Sequence, residues 1–495
     1  MPRRHVLAID QGTTGSTAIV FDEAGAVRGR SYSEFRQFYP KPGWVEHDAE
    51  EIWRVSQAVM AKALRGAQLK PGDLAAIGIT NQRETTVLWE RRSGKPVARA
   101  IVWQDRRTAD FCARLKALGH EAGVRQKTGL VLDPYFSGTK LRWLLDNGRG
   151  LRKRAAQLAF GTIDSWLVSK LTAGRQHVTD HTNASRTLLY DIHAQQWDTQ
   201  LLALFDVPDA VLPALVPSSG EIAVTDAKVF GAEVPIAGIA GDQQAALFGQ
   251  ACFHPGMVKN TYGTGCFILM FTGSTAVASQ KGLLTTVACG VDGKPAYALE
   301  GSVFIAGAAV QWLRDGLGLF KRAAETERIA RRVESSLGVY VVPAFVGLGT
   351  PYWDAAARGA IVGLTRGVTR EHLVRATLEA LAFQTRDVVD TMAAESGKAL
   401  TGLRVDGGAS ANDFLMQFQA DMLGATVDRP VIIETTALGA ALLAGRGVGL
   451  WKDAAKLERA RKRDKLFRPK LRPEQREALY RGWTRAVAAV RSLGS

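Results

Sequence analysis

Two short turns rich in glycine and threonine carry side chains suited to binding an anionic ligand. The first, Gly12–Gly15, follows an apolar stretch that ends at Asp10, and the second is Gly263–Gly265. The backbone N–H groups of such turns, with the hydroxyls of Thr13 and Thr14, can surround phosphate oxygens. Asp10 can hold Mg²⁺ through water, because Mg²⁺ keeps much of its hydration shell. The turns therefore predict a phosphate site that closes from two sides, with a metal ion at Asp10.

A third glycine-rich turn follows the apolar stretch that ends at Asp406. Gly407 and Gly408 come directly after it, and a helix is expected to begin near Asn412. Because glycine has no Cβ atom, a flat nucleoside can lie against the backbone there. Three such turns in this order favour one nucleotide site over three unrelated hairpins.

Asp242 is the candidate general base. It follows the apolar run 236–240 and precedes the helical stretch 243–249, so its carboxylate stands at a fixed point between a strand and a helix. Phosphoryl transfer needs in-line positioning, charge neutralisation and a group that accepts the proton of the attacking hydroxyl. An Asp at a helix start can also be a simple cap, and both interpretations stay open at this point.

Arg83 and Glu84 offer an adjacent donor and acceptor for the hydroxyl groups of a small polyol. Their side chains can converge only on a turn, because on a strand they would point to opposite faces. Trp103 and Phe267 can pack against the carbons of the polyol, and Tyr135 can donate its phenol to a hydroxyl. The alternatives are a surface ion pair and ordinary core packing.

Strands and amphipathic helices must position these residues. A strand, a turn and an antiparallel return strand are predicted around 12–15 and 263–265, and again over Leu74–Trp89. Helices are predicted over Glu50–Leu64 and Glu371–Ala394 from the spacing of their apolar residues. Strands mixed with long helices indicate an α/β protein. The similar units in the two halves of the chain indicate two halves built alike.

Composition excludes several classes of protein. The chain has 495 residues, of which 46% are hydrophobic and 22% charged, as in ordinary globular proteins. No apolar run reaches the length of about 18 residues that a membrane helix needs, and the first residues do not form a signal peptide. The four cysteines include no C-x-x-C pair, which predicts reduced thiols in a cytoplasmic protein. The signatures of P-loop proteins, Rossmann dinucleotide sites and protein kinases are absent.

The formal net charge is +15, and the segment Lys456–Pro473 contains nine Lys or Arg residues and two acidic residues. We expect this segment to be a solvated basic helix that stops at Phe467-Arg468-Pro469. No aromatic residues interleave with its charges as in a nucleic-acid platform, so no nucleic-acid partner is predicted.

Longer patterns resemble the FGGY carbohydrate kinases, a branch of the sugar-kinase, hexokinase and actin-like ATPase superfamily. They are Tyr135-x-Ser137-x-x-Lys140-Leu141-x-Trp143, and Gly359-x-Ile361-x-Gly363-Leu364 followed by His372–Glu379. Further runs are similar to those of the glycerol kinases within that family. They are Asn81–Thr85, Val102–Arg107, Ile239–Gln244, Asn260–Phe267 and Phe414–Gln419.

The resemblance, which covers residues 5–450, implies an α/β fold of two actin-like (ribonuclease H-like) lobes. Each lobe is a mixed sheet flanked by helices, and a cleft lies between them. The implied division is 1–252 for acceptor and phosphate binding, 253–449 for nucleotide binding, and 450–495 for a basic helical tail packed on the C-terminal lobe. The implied reaction is Mg-ATP-dependent phosphorylation of glycerol to sn-glycerol 3-phosphate. The implied protein is a cytoplasmic homodimer or homotetramer without membrane insertion.

The same resemblance implies a role for individual residues. Asp242 is the base and Asp10 the Mg²⁺ residue. The acceptor site comprises Arg83, Glu84, Trp103, Tyr135, Asp242, Gln243 and Phe267. The ATP site comprises Thr13, Thr14, Gly15, Thr264, Gly307, Gln311, Gly408 and Asn412.

Two alternatives stay open. One is a kinase of the same family for another small polyol or ketose, and the other is an actin-like or chaperone-like ATPase that binds a protein. The chain also departs from the pattern of many glycerol kinases, with Thr17 where they have Arg and Glu233 in a loop where some have an inhibitor-binding Arg. No His lies between His193 and His254, so control by histidine phosphorylation there is not expected.

Overall fold

The computed structural model describes residues 4–492. The first half of the chain forms the strands and helices that build one large sheet and its flanking layers. Its strands are β1 His5–Gln11, β2 Gly15–Asp22, β3 Val27–Glu34, β4 Gln37–Phe38, β5 Glu46–His47, β6 Leu74–Asn81, β7 Val87–Glu90, β8 Ala100–Ile101, β9 Leu158–Gly161, β10 Val178–Asp180, β11 Tyr190–Asp191, β12 Gln196–Trp197, β13 Ala214–Val216, β14 Ser219–Val224 and β15 Pro235–Gly241. Its α-helices are α1 Ala49–Gly66, α2 Ala109–Ala117, α3 Glu121–Thr128, α4 Ser137–Asn147, α5 Ile163–Leu171, α6 His181–Ala184, α7 Thr199–Phe205, α8 Ala227–Phe230 and α9 Asp242–Gly249.

The second half forms another large sheet. Its strands are β16 Met257–Tyr262, β17 Cys266–Gly273, β18 Leu284–Cys289, β19 Pro295–Val303, β20 Tyr340–Val342, β21 Ala360–Val362, β22 Gly402–Asp406, β23 Val427–Pro430 and β24 Arg463–Phe467. Its α-helices are α10 Gly307–Asp315, α11 Glu325–Ala330, α12 Arg370–Ser396, α13 Asp413–Leu423, α14 Thr435–Gly447, α15 Ala454–Ala460 and α16 Pro473–Ser492. Short 3₁₀ segments lie at Pro71–Asp73, Arg152–Gln157, Asp209–Val211 and Gly408–Ala411.

The two large sheets share one arrangement at their centres. The first sheet has the order β14-β15-β6-β1-β2-β3, and the second has β18-β19-β17-β16-β22-β23-β24. In each, an antiparallel hairpin (β1–β2 and β16–β17) is extended on one side by an antiparallel strand and on the other by two parallel strands. This repetition confirms the prediction of two halves built alike, which matching turns at residues 12–15 and 263–265 had indicated.

Helices α9 and α14 lie side by side between the two sheets. Helix α14 packs on the first sheet although it comes late in the chain, because small residues permit close approach. A Cβ atom on Gly78 of β6 would lie 2.1 Å from the carbonyl oxygen of Ala440, and one on Gly439 would lie 1.8 Å from that of Ala245 in α9. Helix α9 also covers the second sheet through Leu247, which packs with Leu269 and Phe271. The helices therefore join the two halves.

The two predicted long helices are confirmed, as α1 and α12. The predicted hairpin over Leu74–Trp89 is wrong, because its second strand, β7, leaves the first sheet and pairs antiparallel with β9. The intervening residues 82–86 form an irregular turn instead. This turn carries two of the candidate site residues.

The predicted basic helix at Lys456–Pro473 is also corrected. The helix α15 ends at Ala460, and β24 then joins the edge of the second sheet beside β23. Basic residues there are paired with acids: Lys465 Nζ lies 2.5 Å from Asp413 Oδ2, and Arg463 lies 2.9 Å from Asp428. Three of the nine basic side chains of this segment, Arg461, Arg463 and Lys465, therefore have acidic partners.

Helix α16 packs against α12, α13 and β20 in the second half. Its buried Trp483 stacks on Phe383 of α12 with ring centroids 5.5 Å apart, and its indole N–H donates to Asp387 at 2.8 Å. No helix within residues 4–492 is long and apolar enough to cross a membrane. The four cysteines, all within this range, are buried and form no disulfide.

Candidate active site

The turn after β6 presents Arg83 and Glu84 to one side. Glu84 adopts a left-handed backbone conformation, with φ of 61°, which is uncommon for a residue with a side chain. As a result both side chains converge as predicted for a turn, and Arg83 Nε lies 3.8 Å from Glu84 Oε1. The carbonyl of Glu84 accepts a hydrogen bond from Ser137 Oγ at 3.0 Å, which holds the turn against α4.

Arg83 lies in a buried network of charges. Its guanidinium donates to Glu300 of β19 through two nitrogens, at 2.6 and 3.1 Å. Arg186, which follows α6, donates to Glu84 at 2.6 Å and to Glu300 at 3.0 Å. Arg83, Glu84, Arg186 and Glu300 are each at most 2% exposed. Such mutual pairing is what permits four charges to be buried together.

Asp242 is the first residue of α9, and its carboxylate faces the same network. Its Oδ1 lies 3.2 Å from Arg83 Nε and accepts the backbone N–H of Gln243 at 2.7 Å. Burial raises the pKa of Asp242 above its usual range, although Arg83 and Lys259 oppose the rise. The side chain is about 30% exposed, so it can reach a ligand. A reachable carboxylate with a raised pKa is suited to accept a proton.

Gln243, the second residue of α9, is held by a buried lysine. The ammonium group of Lys259 donates to Gln243 Oε1 and, at 2.9 Å, to Thr261 Oγ1. Burial lowers the pKa of Lys259 to about 8, while Asp406 and Asp242 oppose that change. Lys259 therefore fixes the amide of Gln243 and places positive charge behind Asp242.

Three aromatic rings form a wall beside these polar groups. Trp103 meets Tyr135 edge to face with centroids 5.5 Å apart, and it meets Phe267 of β17 at 6.5 Å. Burial and the nearby Glu84 raise the pKa of the Tyr135 phenol, which keeps it protonated as a hydrogen-bond donor. The wall joins residues from both halves of the chain. It brings together all three aromatic residues expected in the acceptor site.

Lys140 explains part of the sequence pattern around Tyr135. Its buried ammonium donates to the carbonyls of Pro134, at 3.0 Å, and of Tyr135. These hydrogen bonds fix the backbone of the segment that carries the Tyr135 phenol. Together with Ser137, which bonds to the carbonyl of Glu84, Lys140 shows that this pattern positions the acceptor residues.

The first turn predicted to bind phosphate, Gly12–Gly15, adjoins the aromatic wall. The indole N–H of Trp103 donates to Thr13 Oγ1 at 2.9 Å. The turn is closed by a hydrogen bond from the N–H of Gly12 to the carbonyl of Gly15 at 2.9 Å. Thr14, at its tip, is exposed. A Cβ atom on Gly15 would lie 2.6 Å from the ring of Tyr32, so glycine is required beside that tyrosine.

The second turn predicted to bind phosphate, Gly263–Gly265, is anchored to α10. The carbonyl of Thr264 accepts the N–H of Ala306 at 2.9 Å, and the carbonyl of Gly263 accepts that of Gly307 at 3.0 Å. A Cβ atom on Gly307 would lie 2.5 Å from the Gly263 carbonyl oxygen. Gln311 is exposed one turn further along α10. Gly307 therefore has a packing role whether or not it contacts the nucleotide.

The third turn leaves open space at one glycine. A Cβ atom on Gly408 would meet nothing within 4 Å, whereas Gly407 has φ of 81° and packs against the backbone of Tyr262. Asn412 caps α13 by accepting the N–H of Leu415 at 3.0 Å, and its amide donates to Thr326 at 3.2 Å. The side chain of Asn412 thus has a structural role, and its contact with a nucleoside stays a prediction.

Asp10 is the residue expected to face Mg²⁺. Burial and the neighbouring carboxylates of Asp242 and Glu434 raise its pKa to about 7. Bringing a cation near these groups would favour their ionised forms. No three His, Cys, Asp or Glu side chains within the described part of the chain are grouped as metal ligands. This donor set suits Mg²⁺ that keeps water and phosphate oxygens as most of its ligands.

Family models match both halves of the chain. The N-terminal domain of the FGGY family of carbohydrate kinases matches residues 5–249, and the C-terminal domain matches residues 258–448.

The chain belongs to the FGGY family of carbohydrate kinases.

Relatives in this FGGY family extend over the whole chain. Glycerol kinase 2 of Thermotoga maritima is 58% identical over 493 residues, which are 99% of both chains. The crystal structure of Plasmodium falciparum glycerol kinase with ADP has a TM-score of 0.92 and 36% identity, and 98% of each chain is covered. Xylulose kinase from Rhodospirillum rubrum has a TM-score of 0.88 at 24% identity, over 99% of each chain. That last likeness shows the shared fold alone.

Sequence reasoning missed three charged residues of this FGGY kinase site. Arg186, Lys259 and Glu300 are all buried and all touch a candidate acceptor residue. Glu300 lies within an apolar strand. A charged residue at such a position needs a buried partner, and this is the sequence signal that could have identified Glu300. Arg186 stands far from the acceptor turn in sequence and carries no such signal.

Proposed function

We propose that this chain transfers the γ-phosphoryl group of ATP to glycerol and releases sn-glycerol 3-phosphate and ADP. The observation that carries the proposal is the contact between Trp103 of the aromatic wall and Thr13 of the first phosphate turn. It puts the polar groups Arg83, Glu84 and Asp242 next to a turn suited to phosphate. The full-length similarity to glycerol kinases supports glycerol as the acceptor.

The acceptor is held by polar groups on one side and rings on the other. Arg83 and Tyr135 donate to hydroxyl groups of glycerol, and Glu84 accepts from one. Trp103 and Phe267 cover its carbons, which excludes water from the reacting hydroxyl. Such orientation supplies much of the catalysis in phosphoryl transfer.

Asp242 acts as the general base. It accepts the proton of the attacking hydroxyl while the new O–P bond forms and the bond between the γ-phosphorus and the β–γ bridging oxygen breaks. The electron pair of the broken bond stays on ADP, and the proton passes from Asp242 to solvent after product release. The raised pKa of Asp242 makes it a better proton acceptor than an ordinary aspartate.

The turns hold the other substrate. The N–H groups of Gly12–Gly15 and Gly263–Gly265, with the hydroxyls of Thr13, Thr14 and Thr264, bind the phosphates of ATP. The nucleoside lies against Gly408, near α10. Asp10 would hold Mg²⁺, which would supply neutralising charge to the phosphates.

We further infer that the acceptor part is residues 1–252 and the nucleotide part 253–449, with α14 reaching back to the first sheet. Within the described residues of the segment 450–495, α15 packs on the first half, near Phe21, whereas β24 and α16 extend the second half. The four unpaired thiols support a cytoplasmic location. A homodimer or homotetramer is the expected assembly, which sedimentation of the purified chain will measure.

The test is ADP release by the purified chain with Mg-ATP and a panel of acceptors: glycerol, erythritol, xylulose and water. We expect glycerol to give a kcat/KM far above those of the other acceptors. A faster reaction with xylulose or erythritol would show that the chain is a kinase of the same family for another polyol or ketose. Equal ATP hydrolysis with and without every polyol would refute the kinase assignment in favour of a protein-binding ATPase.

A further inference from the structure

Glu300 is a charged residue inside the second sheet. It lies on β19, opposite Leu269 of β17 and Leu284 of β18, and it is fully buried. Its carboxylate reaches across to two arginines from the first half of the chain. The apolar neighbours on its own sheet give no reason for a carboxylate at this position.

The contacts of Glu300 are short and directional. Its two oxygens accept from Arg83 at 2.6 and 3.1 Å, and one of them also accepts from Arg186 at 3.0 Å. The charges of Arg186 and Arg83 lower the pKa of Glu300 to about 2 against the effect of burial. Glu300 is therefore ionised throughout the neutral range.

Each arginine in turn touches a residue of the acceptor site. Arg186 donates to Glu84 at 2.6 Å, and its guanidinium lies 5.6 Å from the centre of the Tyr135 ring. Arg83 faces Asp242 at 3.2 Å. Through these two arginines, the Glu300 carboxylate is therefore connected to Glu84, Tyr135 and Asp242.

Stability does not account for this arrangement. Buried ion pairs are often no more stabilising than apolar residues of the same volume. Arg186 also leaves Nη1 buried without a hydrogen-bond partner, one of five such side-chain atoms in the described part of the chain. Buried polar groups left unsatisfied call for a reason other than folding.

We propose that Glu300 is a positioning residue for the acceptor, which acts through Arg83 and Arg186. It holds Arg83 through both terminal nitrogens, so that the guanidinium stays fixed for glycerol and only its Nε lies toward Asp242, at 3.2 Å. Through Arg186 it also fixes the Glu84 carboxylate. The proposal rests on the proposed function, because it assigns Glu300 to the glycerol site of that reaction.

Removal of the Glu300 charge is expected to affect the kinetics with glycerol more than the kinetics with Mg-ATP. In Glu300→Gln, Asp242, at 3.2 Å, becomes the carboxylate nearest to Arg83, and Arg83 shifts toward it because its bidentate partner has become neutral. We expect kcat/KM for glycerol to fall by about 10- to 100-fold, the range for hydrogen bonds to charged groups. The KM for Mg-ATP is expected to stay within about threefold, since the phosphate turns do not contact Glu300.

A matched control exists on β23. Asp428 is also a buried carboxylate that bridges two arginines, Arg461 at 2.9 Å and Arg463 at 2.9 Å. Asp428→Asn removes the same kind of pairing away from the acceptor site. For this variant, the kcat/KM for glycerol divided by the kcat/KM for Mg-ATP is expected to equal that of the unsubstituted chain.

The experiment measures both kinetic constants for both substrates in the full-length chain and three variants: Glu300→Gln, Glu300→Asp and Asp428→Asn. If Glu300→Gln does not fold, Glu300→Asp decides, because it keeps the charge but is one methylene too short for both arginines. A selective loss toward glycerol supports the proposal. An equal loss for both substrates, or the same selective loss in Asp428→Asn, overturns it, as does an unchanged kcat/KM for glycerol.

Different outcomes refute the proposed function and the proposed role of Glu300. If the unsubstituted chain does not phosphorylate glycerol, the proposed function is refuted and the role of Glu300 falls with it. If the unsubstituted chain is active and Glu300→Gln matches it, only the role of Glu300 is refuted.

Discussion

Asp242→Asn is the substitution that tests the general base most directly. Asparagine has the same shape, and its side-chain oxygen can still accept the N–H of Gln243, now 2.7 Å from the Asp242 carboxylate. Arg83 stays anchored, because Glu300 holds it at 2.6 and 3.1 Å. The substitution therefore removes the proton acceptor and little else.

The expected loss lies in turnover. General-base catalysis contributes about 10²- to 10⁴-fold, which corresponds to about 3 to 5 kcal/mol of activation free energy. We expect kcat to fall by that factor and the KM for glycerol to change by less than about tenfold, since one neutral hydrogen bond is worth little. In the unsubstituted chain, kcat/KM for glycerol should fall as the pH drops through the raised pKa of Asp242, because only the carboxylate accepts a proton.

Stability gives an independent readout on the same variant. Because burial raises the pKa of Asp242, ionisation at neutral pH costs the folded state free energy, and this cost begins above the usual pKa of an aspartate. Asparagine carries no such cost, so the melting temperature of the variant at pH 8 should not fall. ADP-release kinetics and thermal unfolding measure both effects. A near-normal kcat in a folded Asp242→Asn protein would refute the assignment of the base.

Three further substitutions test other parts of the structure. Trp103→Phe removes the hydrogen bond to Thr13, so the KM for Mg-ATP should rise about 2- to 10-fold in steady-state assays; an unchanged KM would separate the wall from the phosphate turn. Gly307→Ala places a Cβ atom 2.5 Å from the Gly263 carbonyl oxygen and should weaken ADP binding measured by calorimetry, while glycerol binding is retained. Trp483→Ala should lower the free energy of unfolding by about 3 to 5 kcal/mol in denaturant titrations; a loss below 1 kcal/mol would contradict the packing of α16.

Local patterns predicted the elements that depend on local physics. The hairpins at Gly12–Gly15 and Gly263–Gly265 follow from an apolar run, a glycine turn and a second apolar run. The helix α12 follows from the spacing of its apolar residues. The error at β7 has a non-local cause, since its pairing partner β9 lies about 70 residues further along the chain. Likewise β24 is a strand because the edge of β23 accepts it, although its sequence is dominated by charges.

The candidate site residues also divide into those that local sequence reveals and those that only the folded chain brings together. Asp242 could be found because it stands between an apolar run and a helical pattern, and such a junction is visible in the sequence. Arg186 and Glu300 could not be assigned to the acceptor site, because only the folded chain brings β19 beside the turn after β6. Asn412 shows the opposite case: its cap of α13 and its bond to Thr326 explain the residue without any ligand.

Backbone contact between α9 and α14 fixes the position of Asp242 relative to Glu434. Helix α9 begins with Asp242, and α14 begins just after Glu434, whose charge acts on Asp10. The glycine at 439 lets the two helices touch backbone to backbone, which leaves no side chain between them to adjust their spacing. The separation between the backbones of Asp242 and Glu434 is therefore set by the main chain of two rigid helices. A site that must align a hydroxyl, a base and a phosphate gains from that rigidity, because small displacements of the reacting groups reduce the rate steeply.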